Sequence, residues 1–123
     1  MIHTQELMLG NWVYAYNEPC LVYGICQRAI QADIRGTGHA IKAINQEKLE
    51  PIPITEELLE KCGFRKGKYY WFGPNEIEVS LEKSAVLMDF IGDEDWRIKD
   101  IHFLHELQNS YFMLTKKHLE VKL

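Results

Sequence analysis

At 123 residues and a formal net charge of −4, the chain fits one compact domain, or one domain with a small appendage, and can bury roughly 65–70% of its unfolded surface without a disulfide or metal. An apolar share of 46% and a charged share of 26% exclude a disordered or fibrous chain. Residues 1–62 carry 8 acids and 5 bases, residues 63–123 carry 10 and 9, so neither half is the clustered basic surface on which phosphate neutralisation depends.

The start, "MIHTQELMLG", has neither the basic nor the apolar region of a secretory signal, and no apolar run reaches ~18 residues. A cytoplasmic protein with no membrane partner is expected. Short strands follow. "NWVYAY" (11–16) sets Trp12, Tyr14 and Tyr16 against Val13 and Ala15, "NEP" (17–19) is turn chemistry, and "CLVYGICQ" (20–27) is a second strand. Gly24 predicts a bulge or tight bend there. "AIQADI" (29–34) and "HAIKAI" (39–44) flank "RGTG", a hairpin turn. In "LEPIPI" (49–54), Pro51 and Pro53 cannot donate ladder hydrogen bonds, so it is an edge strand or extended link.

"TEELLEKCGF" predicts a two-turn helix capped by Thr55, with Glu56 and Glu57 at its positive end and Gly63 closing it. "KYYWFG" (68–73) is apolar on both faces and predicts a strand between packed layers. "EIEVSLE" (76–82) alternates cleanly, and "SAVLMDFI" (84–91) is its partner. "GDED" (92–95) is a turn offering Asp93 or Asp95 as a helix cap. The main helix is expected from about Ile101 to Leu114, with Leu104, Leu107, Tyr111 and Leu114 on one stripe and Phe103 on its flank. "HLEVKL" predicts a final strand.

The expected fold is α+β, mostly β. Residues 1–54 make an SH3-like small barrel of about five short strands. Residues 55–123 add a short helix, a small antiparallel sheet and a covering C-terminal helix packed on that part, and one compact domain overall is expected.

Three motifs carry a resemblance. Gly10, Asn11 and Val13 match "GN.V"; Pro51 to Leu58, with Gly63 and Phe64, match "PIPLTEE.L..GF"; His105, Leu107, Gln108, Asn109, Tyr111, Phe112, Leu114, Thr115 and Leu119 match "VHQLQNLYFALTGEEL". The chain thereby resembles short uncharacterised proteins of Bacteroides-type bacteria, many associated with phage or mobile elements. It departs at Lys116, where that pattern has Gly. The resemblance implies a genomic neighbourhood and no mechanism.

Candidate sites are few. His102 and His105 lie three residues apart, with Glu106 beside them; on a helical wheel both histidines and Asn109 fall away from the leucine stripe. Two histidines at that spacing can reach one metal, but zinc needs three or four protein ligands, and the pattern is neither HExxH nor HxxEH. The simpler reading is a polar helix face, with His105, Gln108 and Asn109 as a structural or binding cluster. "RGTGH" lacks the Lys-Ser/Thr of a phosphate loop. "RKGKYYWF" interleaves Arg65, Lys66 and Lys68 with rings, as a single-strand platform does, but a solvated loop entering a buried strand is the simpler reading, since Tyr69 to Phe72 are apolar on both faces and the net charge is negative. Ser80, Ser84 and Ser110 lie in no nucleophile motif. Cys20, Cys26 and Cys62 show no CxxC spacing and read as reduced thiols. No cofactor and no catalytic residue are expected. The leading expectation is a non-enzymatic cytoplasmic binding or adaptor module with a protein partner, in a groove near Trp12, Tyr14 and Tyr16. The alternatives are a metal-dependent or acid–base enzyme at His102, His105 and Glu106, and nucleic-acid binding through Arg65, Lys66 and Lys68.

Overall fold

The computed structural model describes residues 2–38, 41–89 and 95–123. The described residues are α+β and mostly β, with two antiparallel five-stranded sheets and two α-helices. They fall into two units: Met1–Ile52 with Phe103–His105, and Pro53–His102 with Glu106–Leu123.

The sheet of unit 1 contains β1 (Trp12–Ala15), β2 (Glu18–Ile25), β3 (Ala29–Ile34), β4 (Ile41–Asn45) and β5 (Leu49–Glu50), in the order β4-β3-β2-β1-β5. It is an open sheet with β4 and β5 at its edges, not a closed barrel. Alternation works as the sequence predicts: Val13 and Ala15 are buried and Tyr14 faces out. Val13, Cys20, Val22, Ile30, Ile44 and Leu49 lie in one buried cluster, each large apolar side chain contributing about 1.5–3 kcal/mol. The register between β2 and β3 shifts between Val22 and Gly24, which is the bulge expected at Gly24. The turn into β2 is tighter than "NEP" suggests: Tyr16 and Asn17 turn the chain, and strand pairing resumes at Glu18. The start of the chain is fixed at Asn11, whose side-chain oxygen accepts from the Met8 N–H at 2.8 Å, while Gly10 takes a φ of 89°.

Unit 2 begins at α1 (Glu56–Lys61). Thr55 Oγ1 accepts from the Leu58 N–H at 3.1 Å, and Gly63 closes the helix at a φ of 86°, both as expected. The second sheet is β6 (Arg65–Lys66), β7 (Trp71–Phe72), β8 (Ile77–Ser80), β9 (Ala85–Asp89) and β10 (Asp95–Lys99), in the order β10-β9-β8-β7-β6. Ile77 and Val79 are buried, as the alternation requires.

Four expectations are corrected. "KYYWFG" supplies only the two-residue strand β7; Trp71 is buried, while Tyr69 and Phe72 are exposed. Asp95 opens strand β10 instead of capping a helix, and "WRIK" continues that strand with its apolar and charged residues in alternation. Asp93 lies outside the described residues, as does His39 of "RGTGH". Helix α2 runs over Leu104–Thr115, three residues later than predicted at its start. The tail 119–123 forms no strand. Lys116 itself takes the left-handed position (φ 61°) after α2, and its N–H donates to the Phe112 carbonyl at 2.8 Å, so the closure forms without glycine.

Cys20 and Cys62 are buried and Cys26 is exposed. Burial pushes the Cys62 thiol up to about 12 and raises that of Cys20 as well. A disulfide-exchange reagent at pH 8 should therefore titrate one thiol rapidly in the native protein and three in denaturant; three fast native equivalents would contradict the burial. Because the folded pKa of Cys62 lies above its ordinary 9.0, its contribution is intact below that pH, and stability declines as pH climbs toward about 12.

Candidate functional site

The polar residues of α2 do not share one wet face. His105 is 3% exposed although the wheel sets it away from the leucine stripe, whereas Gln108, 8% exposed, lies one turn after Leu104 beside that stripe. The His105 ring stacks nearly parallel to Phe103, with centroids 6.1 Å apart. Asn109 is half-buried. His102 is exposed and precedes the helix, and its backbone N–H donates to Glu106 Oε1 at 3.1 Å. Glu106 thus serves the open first turn of α2, which needs acceptors for its N–H groups. Among the described residues, no three His, Cys, Asp or Glu side chains form a group able to hold a metal ion. Ser80 is likewise turn chemistry: its Oγ accepts from the Lys83 N–H at 3.2 Å.

A better-formed concavity lies in unit 1. Tyr14, Ala15, Tyr16, Asn17, Glu47, Lys48 and Glu50 line a recess of about 550 Å³, within the range of small-ligand and side-chain pockets. Pairing in the sheet sets Tyr14 opposite Glu50 of β5. Tyr16 and Asn17 both take positive φ, 53° and 63°. A two-residue hairpin turn demands this geometry, and Asn tolerates it, but a Tyr there costs on the order of 1–2 kcal/mol. The Tyr16 ring is 62% exposed. Asn45 fixes the other wall, its Oδ1 accepting from the Glu47 N–H at 2.9 Å. Of the expected groove residues, Tyr14 and Tyr16 line the recess and Trp12 does not. The Trp12 ring lies over the turn at Gly36, where an added Cβ would sit 2.5 Å from Cη2.

That turn holds the polar residue the sequence reading missed. Asp33 is fully buried, and its Oδ2 accepts from the Gly38 N–H at 2.6 Å. An Asp just before "RGTG" was the available signal, since such side chains tie back to turn amides. Arg35, at the surface of the same turn, pairs with Glu18.

In unit 2, Arg65 and Lys66 are exposed, and Lys66 pairs with Glu56 at 3.1 Å. Lys68 Nζ sits 5.3 Å from the centroid of Tyr69, itself 75% exposed. A second recess, about 630 Å³, is lined in part by Asn75, Tyr111, Lys117 and His118. Asn75 Nδ2 donates to the Tyr111 hydroxyl at 2.6 Å, and His118 stacks on Phe112 at 4.7 Å. No family model, curated protein or solved structure matches the chain.

Proposed function

We propose that the chain is a non-enzymatic cytoplasmic binding or adaptor module of mobile-element origin, docking a protein partner at the Tyr14–Tyr16 recess of unit 1. The motif resemblance supports the origin. The observation that carries the docking role is Tyr16: a large ring held in solvent on backbone that an L-residue enters at a cost. Exposed tyrosines supply contact area with little side-chain entropy to lose. β5 returns beside β1, a pairing that small SH3-like barrels also use, and we read unit 1 as an open sheet of that strand order and not as the closed barrel.

The full chain, used as bait against a displayed peptide library, tests the role, with Tyr16→Gly as the counter-screen. Glycine suits the positive φ, so the variant should match the parent in stability or exceed it by up to about 1 kcal/mol. It should nonetheless lose the peptides the parent enriches. Equal capture by both proteins would reject the recess.

The exposure of Tyr69 and Phe72 favours a second reading, single-strand nucleic-acid binding by Arg65, Lys66 and Lys68 with those rings. Retention on immobilised oligo(dT), falling with salt and weakened by about fivefold or more in Tyr69→Ala, is its expected result. Flow-through at low salt would remove it.

A further inference from the structure

The recess of unit 1 has a composition more specific than an aromatic hollow. Two tyrosines, Tyr14 and Tyr16, share it with two carboxylates, Glu47 and Glu50. Among the described residues neither carboxylate belongs to an ion pair, unlike Glu18, Glu56 and Glu57, which face Arg35, Lys66 and Lys61. Glu47 uses its backbone N–H, not its carboxylate, in the hydrogen bond to Asn45. The recess therefore combines ring faces, whose quadrupoles attract cations, with two negative charges that no ion pair among the described residues neutralises. An anion meets repulsion here, and an apolar side chain would strand the carboxylates against a desolvating surface. Lys48 is the only cation in the lining.

Resting on the docking role proposed above, we infer that the recess takes a cationic side chain of the partner, an arginine in a basic segment, seated against Tyr14 and Tyr16 and neutralised by Glu47 and Glu50. Arginine suits it better than lysine because a guanidinium stacks on a ring by its flat face while its edge donates to carboxylate. Lys48, in the same lining, opposes the incoming charge.

Nitrogen-15-labelled full-length protein titrated with the peptide Ac-Gly-Arg-Gly-Arg-Gly-NH2 tests this, with citrulline in place of arginine as the neutral isostere. The arginine peptide should shift the amides of Tyr14 to Asn17 and Glu47 to Glu50, and the citrulline peptide should not. Tyr16→Gly should weaken binding about two- to fivefold, the worth of one exposed cation–ring contact. Glu50→Gln should weaken it comparably, and Lys48→Ala should strengthen it. The dispersion of each variant's spectrum reports that it is folded. Equal shifts from both peptides would overturn the charge assignment and leave the docking role standing. Shifts confined to residues outside the recess, or none with either peptide, would overturn the inference, while the display screen decides the docking role independently.

Discussion

Gly73→Ala should lower the stability of unit 2 by about 2 kcal/mol, although its backbone permits any residue. Gly73 is extended, with φ −106° and ψ −177°, so no left-handed conformation demands glycine. The demand comes from Phe64. A Cβ on Gly73 would lie 2.2 Å from Cε1 and 2.5 Å from Cδ1 of that ring. Phe64 is 3% exposed, so the ring cannot swing into solvent. Overpacking of this kind costs about 1–3 kcal/mol or more, while alanine returns only about 0.4–1 kcal/mol by restricting the unfolded chain. The clash wins. Gly24→Ala provides the contrast: its nearest atom is Gln31 Oε1 at 3.3 Å, the end of a flexible side chain, and its cost should stay below about 1 kcal/mol. Urea denaturation measures both. Adding Phe64→Leu to Gly73→Ala should recover part of the loss, with a coupling of about 1 kcal/mol or more. Equal losses at the two glycines, or strict additivity with Phe64→Leu, would show that the ring contact does not set the cost.

Gly73 also shows where sequence reading stops. Features written in adjacent residues were legible. Thr55, Glu56 and Gly63 mark both ends of α1, Gly24 marks the bulge, and Val13 with Ala15 gives the inner face of β1. Features set by which distant residue arrives nearby were not. The four-residue apolar run Tyr69–Phe72 looks buried on both faces, yet it spans a hairpin turn, and the turn puts Tyr69 into solvent. Strand β10 carries a legible signal, since Asp95, Arg97 and Lys99 alternate with Trp96 and Ile98; taking Asp95 as a turn residue hid it. The candidate recess was half visible: Tyr14 and Tyr16 alternate along "NWVYAY", but Glu47 and Glu50 join them only through the pairing of β5 with β1. The same limit governs α2. A wheel assigns faces relative to one stripe and cannot say how much of the circumference is covered, so His105 reads as part of a polar face when it is buried.

His105→Ala should therefore cost about 2 kcal/mol or more, and His102→Ala should stay within about 0.5 kcal/mol of the parent. The two histidines are three residues apart, but burial separates them. Removing the His105 ring, 3% exposed and stacked on Phe103, empties a packed position, and large-to-small changes in such places cost a few kcal/mol. His102 is exposed, and the hydrogen bond it makes to Glu106 comes from its backbone N–H, which alanine retains. Substitutions at exposed positions generally stay within about 0.5 kcal/mol. A metal site built from His102, His105 and Glu106 predicts a different pattern: both histidines would matter to ion binding, and added Zn2+ would raise the melting temperature of the parent while leaving both variants unmoved. Scans with Zn2+ and with EDTA separate the cases. The expected result is a parent melting temperature indifferent to either addition, with the loss confined to His105→Ala. A Zn2+-dependent rise abolished equally by both substitutions would return the pair to the standing of a metal site. Burial and the Phe103 stack set His105 apart from its neighbour three positions earlier, a surface residue that shares its chemistry without sharing its surroundings.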